Sequence, residues 1–487
     1  MEKIFDNPSK LEALVKQKYG IPDFMMMENA ALAIKQLIYG NCLILCGKGN
    51  NGGDGYALAR LLGKSCKVFL YKLAEPTAKE AQTQYQMCKK LGIKFVSHTH
   101  ALDIMSAATK DTPLFIVDCL FGTGFKGELP ANVQKLIDTA NKAQATRIAC
   151  DIPSGLAFDA HYTVTMGEHK LALFSDRAKQ VSGQIIVTDL GIDRTVFESA
   201  SRSAAFLVTA DDMKLPYRTN KAAHKGTYGH TAVFAGEKSG AAIISATAAM
   251  NFGSGLTTII KQEASNLEQF KISPELMLSD TIPPKTTCIV LGPGSSKLQP
   301  QTASAIQEWW FNEKTKAPAA VFDAGMFGDT EFVKLLKKLN TRKDSRIVLT
   351  PHLAELTRFC ASESSKSPEL SNITVEQLAD CPELKIKLGK TLTKKFPKTT
   401  LVIKSANTFI CSAGQTFIVT DGAPSLAKGG SGDVLSGMIA ALLAQGYTAK
   451  DAAITGCEVH ALAGTAHGAQ AYDLSPMRII EIINCIK

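Results

Sequence analysis

Two glycine-rich segments of different design lie far apart in this chain, and each asks for backbone geometry that an ordinary core element does not supply. The first is Gly47-Lys48-Gly49-Asn50-Asn51-Gly52-Gly53-Asp54-Gly55, after the apolar run 42–46. The second is Lys428-Gly429-Gly430-Ser431-Gly432-Asp433, before the helical pattern 434–444. Either can turn backbone N–H groups toward an anion at a helix start. Two such loops imply two anion sites. With 487 residues, more than one core is expected, hence two domains.

Apolar residues make up 45% and charged residues 20% of the chain, the balance of a globular enzyme. The net charge of +9 is spread out; pairs such as Lys337-Lys338 and Lys394-Lys395 read as solvated faces, so no nucleic-acid partner is expected. Twelve cysteines occur without a C-x-x-C pair, several inside apolar runs, which reads as buried thiols in a reducing compartment. The N-terminal residues lack an apolar signal region, and no stretch reaches the ~18 apolar residues of a membrane span. A cytoplasmic location without membrane contact is expected.

Residues 1–40 read as helical. Short β-like runs then alternate with helical ones: strands at 43–46, 67–71, 114–118 and 147–151, helices at 55–62, 78–91 and 132–140. This is the pattern of βαβ units and a parallel sheet, so the fold class is α/β. The polar stretch 208–226 interrupts it and is read as a linker. Alternation resumes with strands at 231–235, 256–260, 287–291, 319–323 and 346–350, then three strands of a meander between 400 and 420. Helices are expected at 241–251, 302–310, 384–395, 433–445, 449–467 and 476–486. In open α/β sheets, ligands bind beyond the carboxyl ends of the strands, where Asp118, Asp151 and the first loop all fall.

The first loop formally fits G-x-G-x-x-G, but a dinucleotide fingerprint would also want an acidic residue ending the next strand. That strand ends Tyr71-Lys72. Nor does Gly-Lys-Ser/Thr close the loop, so it is not a Walker A segment. Three motifs follow strands in order: GKGNNGGDG, Asp118-Cys119-Leu120-Phe121-Gly122-Thr123-Gly124 and Asp151-Ile152-Pro153-Ser154-Gly155-Leu156. With Met27-Glu28-Asn29-Ala30, they resemble the NAD(P)H-hydrate epimerase domain, the YjeF N-terminal family, over residues 1–208.

That resemblance implies a Rossmann-like fold and interconversion of the R and S forms of the hydrates NADHX and NADPHX. It implies a K⁺ ion held by Asn51, Asp118 and Ser154, an all-oxygen donor set that suits such an ion. It implies substrate contacts from Asn50, Asn51, Gly52, Gly53 and Asp54, and from Gly122, Thr123, Gly124, Phe125, Lys126, Gly127 and Glu128. Asp151 would contact the nicotinamide end and is the candidate acid/base. By residue type alone, Asp54 and Asp151 also fit helix caps or strand-end turns.

In the second loop the glycines let backbone approach an anion, and the following helix contributes its positive end. Asp433 can accept the proton of a substrate hydroxyl as that hydroxyl attacks a phosphoryl group; it also fits an N-cap. Six further motifs precede it in order: Lys225-Gly226-Thr227-Tyr228-Gly229-His230, Gly240-Ala241-Ala242, Gly292-Pro293-Gly294, Asp323-Ala324-Gly325, Thr350-Pro351-His352-Leu353-Ala354-Glu355 and Lys404-Ser405-Ala406-Asn407-Thr408. Together they resemble the ADP/ATP-dependent NAD(P)H-hydrate dehydratase family over residues 222–487.

The implied fold there is ribokinase-like. Ala241, Gly294, His352 and Asp433 would line the hydrate site. Lys404, Ser405, Ala406, Asn407, Thr408 and Gly432 would line the nucleotide site, with Mg²⁺ accompanying ADP or ATP. The reaction would phosphorylate the C6 hydroxyl and release phosphate to restore NADH or NADPH. His352 also fits a helix-start residue with a backbone bond, and Asp323 a strand-end turn. The fused arrangement favours ADP, and a homo-oligomer is expected. Lys428 stands where the family has a small residue or Thr, and Ser405 where it has Gly. The alternative is a ribokinase-like small-molecule kinase with an accessory nucleotide-binding domain.

Overall fold

A computed structural model describes residues 1–63, 66–111, 113–363 and 371–486. The chain divides into two compact units. One runs from Lys3 to Ala204; the other comprises Met1, Glu2 and the chain from Ala205 onward.

The first unit is built on strands β1 (Glu2–Phe5), β2 (Asn41–Cys46), β3 (Val68–Lys72), β4 (Lys94–Val96), β5 (Leu114–Cys119), β6 (Thr146–Cys150), β7 (Tyr162–Met166), β8 (His169–Lys170) and β9 (Gln184–Thr188). Seven of them form a sheet in the order β4-β3-β2-β5-β6-β7-β9, all parallel. The order reverses between β2 and β5, the kind of switch point where a crevice opens. Central strands are buried on both faces, so β2 (Asn-Cys-Leu-Ile-Leu-Cys) is apolar throughout its buried length instead of alternating. Helix Ala131–Lys142 shows the other period, burying Val133, Leu136, Ile137 and Ala140 along one stripe.

Two sequence expectations need correction here. Residues 1–40 are not all helical: β1 precedes the helices Pro8–Tyr19 and Asp23–Lys35 and pairs with β8, matching Phe5 with Lys170. A four-residue strand is too short to display its period. The helix expected at 55–62 begins at Asn50, so Asn50–Asp54 are its first turns and not a free loop.

The second unit contains β10 (Ala205–Leu207), β11 (His230–Phe234), β12 (Leu256–Ile260), β13 (Met277–Ser279), β14 (Cys288–Leu291), β15 (Ala319–Phe322), β16 (Arg346–Leu349), β17 (Thr399–Ile403), β18 (Thr408–Ser412) and β19 (Gln415–Val419). Their order is β13-β12-β11-β14-β15-β16-β17-β18-β19-β10. From β13 to β17 the strands are parallel; β17, β18 and β19 form the expected antiparallel meander. Helices Thr330–Leu339 and Leu353–Glu363 are additions to the sequence reading, and the last helix stops at Ile483.

Helix Ser431–Ala444 is the centre of this unit. Twelve of its fourteen residues are buried, which is why it is apolar all round with little amphipathic pattern. It packs on helix Ser239–Asn251 at close range. A β-carbon on Gly437 would fall 2.1 Å from the Ser245 carbonyl oxygen, and the Ser245 and Ser436 hydroxyls meet at 3.1 Å. Among the described residues, no disulfide joins the cysteines. Among the described residues, no helix is long and apolar enough to cross a membrane.

Candidate active sites

In the first unit, the ends of β2, β5 and β6 and the start of helix Asn50–Leu62 surround a cavity of about 630 Å³. Lys48, Gly49, Asn50, Asn51, Asp54, Gly122, Thr123, Gly124, Phe125 and Asp151 line it. Gly52 and Gly53 do not. Gly52 is folded against Gly47, where a β-carbon would sit 2.0 Å from the Gly47 carbonyl oxygen. Its glycine is required by the protein's own backbone, with no ligand involved. The lining leaves out Lys126, Gly127 and Glu128 and brings in residues that sequence reading missed: Ser9, Glu12, Asp23, Met26 and Met166 among them. These come from helices Pro8–Tyr19 and Asp23–Lys35 and from the end of β7, whose spacing shows only a packed surface.

Asp151 stands at φ +73°, a left-handed conformation seldom adopted outside glycine. Its N–H donates to the Val164 carbonyl oxygen at 2.7 Å, so the strand end is bent and its side chain re-aimed. Asp151 Oδ1 lies 2.6 Å from Lys170 Nζ. Lys170 is wholly buried, donates to Thr165 Oγ1 (3.0 Å) and to the Met166 carbonyl (2.9 Å), and lies 3.6 Å from Glu168 Oε1. Burial opposes the ammonium, but Asp151 and Glu168 outweigh it and hold Lys170 above its ordinary range. Burial pushes Glu168 up to about 7 despite Lys170. Asp54, inside the helix and not at its cap, is raised well above the carboxylate range by burial first and by Asp151 and Glu12 second.

Asp118 is fully buried within β5. Ser154 donates to it from its N–H (2.8 Å) and its hydroxyl (2.7 Å), and the Leu120 N–H adds a third bond at 3.1 Å. Burial raises its carboxyl to about 6, against the pull of these donors. Ser154 Oγ also accepts the Phe121 N–H at 2.9 Å. The neighbouring Gly122 packs on Asn51, whose side-chain oxygen and nitrogen are buried with no protein partner.

In the second unit, Asp323, His352 and Lys404 follow the adjacent strands β15, β16 and β17, and Asp433 lies in the first turn of helix Ser431–Ala444. The N-cap of that helix is Gly430, at φ +91°, and no side chain caps it. Asp433 is therefore free of the capping role. Burial and the neighbouring Asp323 push its carboxyl up to about 7, with Lys404 opposing. Lys404 Nζ bonds Asp323 Oδ1 at 2.8 Å. His352 pairs with Lys404 in a parallel bridge. Its Nδ1 accepts the Glu355 N–H at 3.3 Å, while its own N–H donates to the Glu355 carboxylate at 2.8 Å. The helix-start bond and an outward imidazole coexist, since the His352 side chain is half-exposed. Burial, then Lys404 and Arg358, lowers its pKa.

Ala241 and Gly294 meet through Lys238, whose carbonyl accepts the Ala241 N–H at 3.1 Å and whose N–H donates to Gly294 O at 3.0 Å. They lie beyond β11 and β14, in the same row of strand ends. Of the segment Lys404–Thr408, Ala406 is exposed and Asn407 is buried. Ser405 is not in the left-handed region, so serine costs no strain in place of the family's glycine. Lys428 Nζ donates to the Tyr472 carbonyl at 3.2 Å on the surface. Sequence reading missed His460. It is half-buried on helix Ala449–His467, with Nε2 3.0 Å from both Ser431 Oγ and Ser431 O, and the desolvation of its ring lowers its pKa to about 4. A lone histidine on a long helix carries no signal of a contact with Ser431, 29 residues away.

Each sheet thus carries an acidic cluster and a glycine-bearing helix start beyond its strand ends, which defines a two-site, nucleotide-handling α/β enzyme. The family model described as NAD(P)H-hydrate dehydratase matches residues 231–485, and the one described as YjeF-related protein N-terminus matches residues 23–172. The chain is 33% identical to the bifunctional NAD(P)H-hydrate repair enzyme of Helicobacter pylori over 99% of each chain. It is 30% identical to that of Moorella thermoacetica over 93% of this chain and 90% of that one. Against that of Escherichia coli it is 28% identical over 86% and 79%. The chain belongs to the bifunctional NAD(P)H-hydrate repair enzymes, with the YjeF-related match falling in the first α/β unit and the NAD(P)H-hydrate dehydratase match in the second.

Proposed function

We propose that the cavity of the first unit interconverts R and S NADHX and NADPHX with Asp151 as the proton-transferring group. The observation that carries this reading is the Asp151–Lys170 pair, 2.6 Å apart, with Asp151 on the cavity wall. Asp151 takes the proton of the C6 hydroxyl as the C6–N1 bond breaks to an open-chain aldehyde, the proton passing to N1; reclosure on the other face of the carbonyl by the reverse steps inverts C6, and Lys170 holds the Asp151 carboxylate in one orientation. The N–H groups of Asn50 and Asn51 at the helix start, with the segment 122–125, take the pyrophosphate.

Asn51, Asp118 and Ser154 fit a monovalent cation, because the buried Asn51 amide oxygen has no protein partner and every donor is oxygen. K⁺ is the reading. Bound there, it would offset the buried charge of Asp118 and add a positive field near the substrate.

In the second unit, Asp433 takes the proton of the C6 hydroxyl of the S hydrate as the oxygen attacks the terminal phosphoryl group of ADP. Phosphate then leaves with loss of a ring proton, giving NAD(P)H, AMP and inorganic phosphate. The loop 428–432 and Lys404 receive the phosphates. Mg²⁺, bound with the nucleotide, would offset the charge that develops on the transferred phosphoryl group. ATP is the second donor to test.

The test is recovery of the NADH absorbance from mixed R and S NADHX with K⁺, Mg²⁺ and either nucleotide. Complete recovery, faster than the hydrates interconvert unaided, is the expected result. Recovery that stops when the S form is consumed overturns the epimerase assignment. A stable phosphorylated metabolite in place of free phosphate overturns the dehydratase chemistry in favour of a kinase.

A further inference from the structure

The strand end that carries Asp323 is strained and tightly packed. Ala324 has φ +56°, a left-handed conformation that persists in a non-glycine residue only where the surroundings impose it. A β-carbon on Gly325 would fall 2.2 Å from the Ser295 carbonyl oxygen, and the Asp323 N–H is held by Leu291 O at 3.0 Å. The backbone that bears the Asp323 side chain is therefore held in place. The Asp323 carboxylate points at Lys404 Nζ, 2.8 Å away. Lys404 is anchored in turn by its own N–H on Pro351 O, at 2.9 Å. A β-carbon on Gly432 would lie 3.3 Å from Lys404 Nζ and 3.8 Å from Asp323 Oδ2. The ion pair thus rests against the residue immediately before Asp433.

We propose that Asp323 is a positioning residue for phosphoryl transfer: it pins the Lys404 ammonium beside the first turn of helix Ser431–Ala444 and keeps it from closing on Asp433. A lysine side chain is long and flexible, and an unpinned ammonium pairs with the nearest carboxylate. The carboxylates left within its reach are Glu355 and Asp433, and pairing with Asp433 is the one that harms the proton transfer. A direct Lys404–Asp433 pair would weaken the base and withdraw the cation from the anion loop. Asp323 thus keeps the two groups separate, one for the proton and one for the phosphate. The inference rests on Asp433 acting as the base. The charged groups facing Asp433 are Asp323, Lys404 and Glu355. His352 and Arg358 stand beyond Glu355, and neutral His460 holds Ser431.

The experiment is the pH profile of dehydration by the full chain and its Asp323→Asn variant, with S-NADHX, ADP and Mg²⁺. Removing the Asp323 charge takes away a group that raises the Asp433 carboxyl and frees an ammonium that lowers it. The acid limb of kcat/KM should move down by about one pH unit, with kcat about tenfold lower. An unmoved acid limb overturns the proposal even if kcat falls, because a merely structural loss does not displace the limb. If Asp323→Asn does not fold, Asp323→Glu decides. It keeps the charge but shifts the ammonium, so a kcat about tenfold lower with an unmoved limb is expected, and undiminished kcat overturns the proposal. Asp433→Asn separates the two readings. If that variant turns over, the base assignment fails. If it is inactive while Asp323→Asn keeps the original limb, the positioning role alone fails.

Discussion

Lys170 Nζ stands 2.6 Å from Asp151 Oδ1, with the aspartate on the wall of the first cavity and the lysine wholly buried behind it. The pair joins a residue bent into the left-handed region to one brought in by the two-residue strand β8. Lys170 also serves Glu168, a fully buried carboxyl whose own oxygens find no hydrogen-bond partner.

Lys170→Met should therefore cost both stability and epimerisation. Breaking one partner out of a buried ion pair costs about 3–5 kcal/mol. Thermal unfolding should show a lower midpoint for the first unit, and chromatography of the R and S hydrates should show no interconversion above background. Adding Glu168→Gln should return part of the stability without returning activity. Full epimerisation in Lys170→Met would remove the lysine from the site.

Asp433→Asn should abolish dehydration while leaving epimerisation intact, because the two sites lie in separate units. Loss of a positioned base typically costs about 10²–10⁴-fold in rate. Following NADH recovery and hydrate interconversion in one sample checks both halves. Loss of both activities in a folded variant would contradict two independent sites.

The Asp433 carboxyl, raised to about 7, sets the pH dependence of dehydration. A base must be ionised, so kcat/KM should fall as pH drops below about 7. Stability follows the opposite course. The folded chain holds this proton up to about 7, whereas the unfolded chain releases it near the ordinary carboxyl value of 3.8. Between those values the folded state binds more protons, and stability contributed by this group declines as pH rises. Asp433→Asn should consequently melt higher than the parent chain at pH above about 7, as expected where activity is bought with strain.

Potassium should raise the unfolding midpoint of the parent chain, because ligands that bind only the folded state stabilise it. Asn51→Leu removes the orphaned buried amide and should abolish that increment without lowering the midpoint in potassium-free buffer. A thermal shift series with K⁺ against Na⁺ reads this without any activity assay. An undiminished K⁺ effect in Asn51→Leu would place the ion elsewhere.

The order of short apolar strands and helices, the antiparallel meander between 400 and 420, the strand ends at Asp118 and Asp151 and the helix start at Gly429–Asp433 were legible because they are local. Each depends on residues within a few positions of one another, where period, turn chemistry and spacing act. Glycine spacing pointed to two segments that open helices in the structure, but did not reveal why each glycine is there. Gly52 is forced by Gly47, whereas a β-carbon on Gly432 would only crowd the Lys404 ammonium, contacts that exist only after the chain has folded.

The sequence by itself determined the α/β class, the presence of two glycine-bearing helix starts and most of the residues around them. Only the tertiary structure decided which charges face each other. Lys170 reaches Asp151 because β8 brings it there, and Lys404 reaches Asp323 across two parallel pairings, 81 residues apart in sequence. Likewise Asp433 is free because Gly430 takes the cap. The physical reason is that burial and the juxtaposition of charges set ionisation, and both are properties of strand order and register that no local window of sequence contains.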